Sequence, residues 1–288
     1  VSAILKKLFR NMHLNEIINR LKSEFPIENA LQNDRVGLQV KGDKDTVSNI
    51  LVAYELDSYV VSEASALNTE LIIAFHPLIY RPLTQIIGED RVSRIVKDLL
   101  KNDISLYIIH TNFDTHINGT NFLIACELGL INTEPLVPSE PGKNNPIGLV
   151  GELHEPLETE DFAQKISEIF RTQVRYCNGR ENLIRKVAVI GGSGSSFYDY
   201  ALASGADAYI TADVTYHTFH QAKDYLSLFD IGHYEMERFN KDGMKKLIEN
   251  IFAEMQVELH TSRVNTNPVK YCLSKNIIKE KNNLISIN

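Results

Sequence analysis

The chain has 288 residues, of which 43% are hydrophobic and 23% charged, and its formal net charge is −7. A length of this order corresponds to about two domains, with a core large enough to fold without disulfides or a structural metal. The acidic balance disfavours direct binding to a nucleic-acid backbone, which needs a concentrated positive surface. In chain order, Val1–Met12 holds Lys6, Lys7 and Arg10 without an acid. That pattern reads as a plain N-terminal helix or leader, with a mitochondrial presequence as the minor alternative. Leu14–Phe25 places Ile17, Ile18, Leu21 and Phe25 at helical spacing and is closed by Pro26. Val36–Val40 is a short apolar stretch. Ile50–Tyr54, Leu71–Phe75 and Leu106–Ile109 read as buried strands. Val60–Leu67, Arg91–Lys101 and Asn118–Leu128 read as the helices between and after them.

Asn132–Asn145, with Pro135, Pro138, Pro141 and the following Pro146, reads as a linker. Gly148–Glu152 is expected as a strand, and Phe162–Phe170 as a helix with Thr159 as its N-cap. A second alternation then runs Val187–Ile190 (strand), Phe197–Ala203 (helix), Ala208–Thr211 (strand), His217–Tyr225 (helix) and Leu228–Asp230 (strand). Met236–Met255 is expected as one long helix and Val257–Leu259 as the last strand. Short continuous apolar runs between amphipathic segments mark an α/β fold with mixed sheets flanked by helices. The expected division is an N-terminal α/β lobe (1–130), a linker and intervening module (131–185), and a C-terminal α/β lobe with a basic tail (186–288). The two lobes are expected to form one metal site together. The tail's Lys270, Lys275, Lys279 and Lys281 read as solubilising. No apolar run approaches the roughly 20 residues of a membrane span. Cys126, Cys177 and Cys272 are dispersed, which points to a reducing, cytoplasmic setting and away from a cysteine-rich zinc site.

A divalent metal wants imidazole and carboxylate ligands in fixed directions, and a helix offers them at i and i+4. An acid follows four of the nine histidines at that spacing: His110–Asp114, His154–Glu158, His220–Asp224 and His233–Glu237. Chance predicts roughly one. His76, His110 and His233 each follow a strand, where α/β folds place ligand-binding groups. His154 sits beside Pro156 and His220 within a helix, so both read as solvent-exposed. A lone strand-end histidine is also a common structural residue, and spacing alone leaves the metal and structural readings level. The turn Gly191–Ser196 can hold a phosphate on its backbone N–H groups, or can simply let helix and strand pack closely. Arg81, soon after His76, can meet an anionic substrate or lie idle on the surface.

The stretches Ala74-Phe-His-Pro-Leu-Ile-Tyr-Arg-Pro82, His110-Thr-Asn-Phe-Asp114 and Gly232-His-Tyr-Glu-Met-Glu237 resemble the NIF-three-like family, also called GTP cyclohydrolase 1 type 2. Asp34-Arg-Val-Gly37, Gly191-Gly-Ser-Gly194, Gly205-Ala-Asp207 and Thr211–His217 extend the resemblance along nearly the whole chain. The F-H-P-L-I-Y-R-P wording resembles the eukaryotic, fungal branch. The resemblance implies a toroidal homohexamer with a metal centre in each subunit. By position, His76, Asp114, His233 and Glu237 are the implied ligands, with His110 and His217 near them as proton-moving groups. One or two ions of zinc, manganese, iron or magnesium are implied per subunit. Phe75 stands where many members have a further ligating histidine, so the second ion loses a ligand. The implied function is a metal-dependent hydrolase of a nucleotide, as in GTP cyclohydrolases, or of a phosphoester. The alternative is a non-catalytic ring that binds a transcriptional coactivator. A nuclear or mitochondrial location is open beside the cytoplasmic one.

Overall fold

The computed structural model describes residues 12–254 and 257–272. The presequence-like segment lies outside the described residues up to position 11, as do Lys275, Lys279 and Lys281 of the tail. β1 (Met12–His13) leads into α1 (Leu14–Glu24), followed by β2 (Gly37–Val40), β3 (Thr46–Val47) and β4 (Asn49–Ala53). Then come α2 (Ser58–Ala66), β5 (Leu71–Ala74), α3 (Arg91–Lys101), β6 (Ser105–Ile108), α4 (Thr111–Asp114) and α5 (Thr120–Leu128). The chain continues through β7 (Leu130–Val137), β8 (Ile147–Glu158), α6 (Thr159–Phe170), β9 (Arg175–Cys177) and β10 (Leu183–Val189). It ends with α7 (Tyr198–Ala203), β11 (Ala208–Thr211), α8 (Tyr216–Ala222), β12 (Ser227–Asp230), α9 (His233–Glu237), α10 (Asn240–Ile251) and β13 (Glu258–Thr261).

Two mixed sheets organise these elements. The first has the order β13-β4-β5-β6-β2, with β2 antiparallel at one edge. The second has the order β7-β8-β10-β11-β12-β9, with β10, β11 and β12 parallel at its centre. The central strands are buried on both faces, which is why their sequences are continuous apolar runs rather than alternating ones. In the first sheet, α1 and α10 cover one face through residues such as Ile17, Leu21, Met244 and Ile248. Val60, Ile95 and Leu99 of α2 and α3 cover the other. In the second, Phe162, Ile166 and Phe170 of α6 pack on one face with Ile124 of α5. Tyr198 and Ala201 of α7 pack on the other with Ala222 of α8. The carboxyl ends of β6, β10 and β12 lead into one cavity, lined by His110, Ile190 and His233.

Several expectations are corrected. The proline-rich segment is not a linker throughout: Leu130–Val137 is an edge strand, which tolerates Pro135 because one side of the strand needs no ladder donors, and Pro138, Pro141 and Pro146 lie in the loop before β8. Residues 131–185 accordingly form no separate module, since β7, β8 and β9 complete the second sheet. The C-terminal lobe is not self-contained either, because β13 returns to pair with β4 of the first sheet. The long helix expected over Met236–Met255 breaks after Glu237, and its second part packs on the first sheet. Glu158, not Thr159, occupies the N-cap of α6, and the Thr159 hydroxyl donates to the Asn182 carbonyl instead. His154 lies on β8 rather than in a loop, but it is exposed as expected, as is His220.

Candidate metal centre

Each of the three expected histidines follows a strand directly or within three residues, and each carries a carboxylate on its Nδ1. His76 follows β5, and its Nδ1 meets Glu55 Oε2 at 3.2 Å, just past the neighbouring β4. His233 follows β12, and its Nδ1 meets Asp213 Oδ2 at 2.7 Å, two residues past the neighbouring β11. His110 follows β6, and its Nδ1 meets Asp34 Oδ1 at 2.9 Å ahead of β2. A carboxylate on one imidazole nitrogen fixes the ring's orientation and raises the basicity of the other nitrogen, as it does around ligated metals. The Nε2 atoms of His76 and His233 both turn to Glu237 Oε2, at 3.5 and 2.9 Å. The second contact is the i,i+4 pair of α9. Potential ligand atoms of His76, His233 and Glu237 all lie within 4.8 Å of one another.

The electrostatics follow from this crowding. Burial opposes charge on His76, but Glu237 and Glu55 outweigh it and raise the imidazole to about 9. Burial likewise opposes charge on His233, and Asp213 and Glu237 raise it to about 10. Burial works against the Glu237 carboxylate, yet His233 and His76 hold it well below the usual carboxylate range. The buried Tyr54 hydroxyl donates to Glu237 Oε2 at 2.9 Å. Burial and Glu237 push the Tyr54 pKa well up, so it stays a donor. Burial raises the Asp114 carboxyl, and Glu237 beside it helps bring it to about 7.

Asp114 lines the same cavity of about 210 Å³ as His110, His233 and Glu237, but it stands outside the tight His76, His233 and Glu237 group. Its Oδ1 accepts from the Thr120 hydroxyl at 2.5 Å. Asn121 ties the two lobes here, donating to the Asp114 carbonyl at 2.8 Å and accepting from the Gly191 N–H at 2.9 Å. Gly192 has φ +66°, and a Cβ there would meet Glu237 Oε1 at 2.5 Å, so only glycine lets the turn approach the carboxylate. The amides of Gly191 and Gly194 are spent on Asn121 and Thr211. The turn therefore acts as a close-packing device at those positions. Phe75 is fully buried, its ring centroid 5.1 Å from that of His76 and 5.2 Å from that of His110. It packs behind those rings in the hydrophobic core and offers no ligand atom.

The structure brings His76, His110, Asp114, His233 and Glu237 together. It does not bring His217, which is exposed on α8 with its ring against Tyr216 and is absent from the cavity lining. Arg81 lines a different cavity, with Tyr80 and Arg91. Spacing missed Glu55 and Tyr54, and Asp34 and Asp213 were covered only as parts of quoted motifs, with no role assigned to them. The residues present suit a divalent cation: two oriented imidazoles whose Nε2 atoms converge on one buried carboxylate, and a second carboxyl alongside that makes no ion pair among the described residues.

Comparison with known proteins bears on this group directly. A protein of Streptomyces coelicolor named "GTP cyclohydrolase 1 type 2 homolog" is 36% identical over 231 residues, covering 78% of this chain and 81% of the relative. One of the same name from Streptococcus pneumoniae is 34% identical over 268 residues, covering 89% of this chain and 98% of the relative. The crystal structure of a Bacillus cereus protein related to NIF3 superposes with a TM-score of 0.84 at 25% identity, covering 91% of this chain and all of that one. These relatives are bacterial and give no support to the eukaryotic, fungal placement. The family model described as "Duf34/NIF3 (NGG1p interacting factor 3)" matches residues 12–268, a span that contains every residue of the cavity, and the chain belongs to that family.

Proposed function

We propose that the protein is a divalent-metal-dependent hydrolase that adds water to a ring C–N bond of a purine-type substrate. The observation that carries this reading is the convergence of His76 and His233 Nε2 on Glu237, with every supporting Nδ1 held by a carboxylate. His76, His233 and Glu237 would hold the ion, with Asp114 alongside. A bound divalent ion supplies Lewis acidity and lowers the pKa of water in the cavity. The substrate class follows the relatives' name, "GTP cyclohydrolase 1 type 2 homolog". A phosphoester is the second class compatible with such a centre.

The chain's own residues supply the rest. His110, oriented by Asp34, keeps Nε2 as its available ring nitrogen and moves the proton between water and leaving nitrogen. Tyr54 fixes Glu237 through its hydroxyl. Phe75, packed against the rings of His76 and His110, offers no ligand atom, so the strong position is a single one and a second ion lacks a ligand. That missing ligand also supports a second reading, a ring-forming scaffold for a coactivator that retains metal without turnover. Assembly as a homohexamer and a cytoplasmic location belong to the same proposal. Among the described residues, no helix is long and apolar enough to cross a membrane.

The test is elemental analysis of the purified protein with added zinc or manganese, coupled to a hydrolysis screen of nucleotides, nucleosides and phosphoesters. We expect one tightly held ion per subunit and turnover of a purine compound. Failure to bind any ion overturns the reading, and metal without turnover of any compound leaves the scaffold.

A further inference from the structure

A second cavity, of about 780 Å³, opens from the candidate metal centre and shares Asp114, Thr115 and Asn121 with it. Its walls come from the turn after α4, the start of α5, β7 and the β7–β8 loop. They present Ile117, Phe122, Pro135, Pro138 and Leu149. Ile117 is 80% exposed and Phe122 39% exposed, although each belongs to a wall with no other described function. The side-chain amides of Asn118 and Asn144 also face this groove and make no hydrogen bond to the described residues. Apolar walls with a few unspent polar groups are the usual composition of a small-molecule site, and the volume lies within the usual range of about 300–1,000 Å³.

Charge narrows the occupant. No lysine or arginine lines either cavity among the described residues, whereas Asp114, Glu134 and Glu237 do. Asp34, Glu55 and Asp213 stand directly behind the histidines. With a metal on neutral imidazoles, one divalent ion together with Arg91, which pairs with Glu55, does not cancel that many carboxylates. Arg81, the residue expected to meet an anion, lies in the separate cavity of Tyr80 and Arg91. The glycine-rich turn offers no substitute at Gly191 and Gly194, whose N–H groups are already bonded.

We propose that this groove is a subsite for an uncharged planar nitrogen heterocycle, and that it discriminates against the triphosphate form of such a compound. The proposal rests on the hydrolytic reading above. The ring lies against Phe122 and Ile117, its polar edge meets Asn118 and Asn144, and one ring C–N bond reaches the metal centre. Hydrolysis there is redox-neutral: the water oxygen bonds to the ring carbon, the C–N bond breaks, and the water's proton goes to the ring nitrogen.

The test uses the full chain loaded with zinc or manganese and calorimetric titration with guanosine and with GTP. We expect guanosine to bind about ten-fold or more tightly than GTP at low salt, with the gap closing as salt rises. Phe122→Ala should weaken guanosine about ten-fold, in line with the stacking contribution of an aromatic side chain to a base, and Asn144→Ala by a similar factor through a lost hydrogen bond, both at unchanged metal content. Both positions are exposed, so folding should be unaffected. Equal or tighter binding of GTP overturns the proposal, as does wild-type guanosine affinity in both variants. A change in oligomer size without a change in guanosine affinity also overturns it and assigns the groove to a second copy of the chain. Metal content of the same samples separates the two ideas: a metal-free sample sinks the hydrolytic reading and the subsite together. A metal-loaded sample that ignores guanosine sinks the subsite alone.

Discussion

The two walls of the cavity use one device. On the first sheet a histidine after β5 is held by a carboxylate after the adjacent β4; on the second, a histidine after β12 is held by a carboxylate after the adjacent β11. They differ in how firmly the device is set. The side chains of His76 and Glu55 are 18% and 28% exposed, and Arg91 Nη2 also grips Glu55 at 2.9 Å. Those of His233 and Asp213 are 33% and 54% exposed, and Asp213 is backed by the hydroxyl of Ser193. The first wall is therefore preorganised and the second is the wetter side, where water competes for the same hydrogen bonds. Glu237 is the point at which both walls meet, since its Oε2 contacts His76, His233 and Tyr54.

Removing that meeting point should have the largest effect. Glu237→Ala is expected to abolish stable metal binding, read by elemental analysis after dialysis. The fold should survive, because the cost of leaving the Tyr54 hydroxyl unpaired is about 1–3 kcal/mol. Full metal occupancy in this variant would show that the walls bind metal independently of each other.

Proton competition should come next, with opposite signs in the metal-free and metal-loaded protein. Both histidines have folded pKa values, about 9 and about 10, above their ordinary 6.5. At these two sites the folded metal-free state binds more protons than the unfolded chain, so their contribution to stability is fully present below about pH 6.5 and is lost as pH rises through 9 to 10. Asp114, raised to about 7, adds to the fall from its ordinary 3.8 upward. Metal requires neutral imidazole, so apparent metal affinity should instead rise over pH 6.5–9, by about ten-fold per unit for each proton displaced. Denaturant titrations of metal-free protein and metal titrations at pH 6.5 and 9 measure the two slopes. A flat metal affinity would mean that His76 and His233 are already neutral when the site is free.

The walls also show what a sequence can disclose. His76, His110 and His233 were legible because buried parallel strands leave short, continuous apolar runs whose ends are visible. Glu237 was legible because a helix repeats its face at i+4. Glu55, Asp213 and Asp34 were not, because each reaches its histidine across the sheet, at separations of 21, 20 and 76 residues that leave no periodic trace. β7 was hidden by Pro135 within it and the prolines of the loop that follows, and the break after Glu237 was hidden because α9 and α10 are both helical in pattern. His217 looked equivalent to the others by motif, yet it follows no strand and faces solvent.

The contrast between walls is sharpened by cutting each supporting carboxylate in turn. Such partners typically contribute about 10–100-fold in metal affinity. Glu55→Ala should fall near the upper end, since it frees a buried ring and strands Arg91. Asp213→Ala should fall near the lower end, since water can replace a half-exposed carboxylate. Competition against a fluorescent chelator measures both. Equal losses would remove the distinction between a set wall and a wet one.

The smallest expected effect tests the core residue behind the first wall. Phe75 is fully buried, stacks 5.9 Å from Tyr54 and meets His110 edge-on. Phe75→His places an imidazole beside His76 and His110, in a cluster that otherwise contains apolar side chains. Without metal, the buried polar ring should cost about 1–3 kcal/mol in denaturant unfolding. With saturating zinc, a ligand that binds only the folded state should restore that stability, and elemental analysis should rise from one ion toward two per subunit. Loss of stability that zinc does not restore, at unchanged stoichiometry, would mean that position 75 faces the core rather than the cavity. The first wall would then complete its ligand set through His110, whose ring lies 5.3 Å from that of His76.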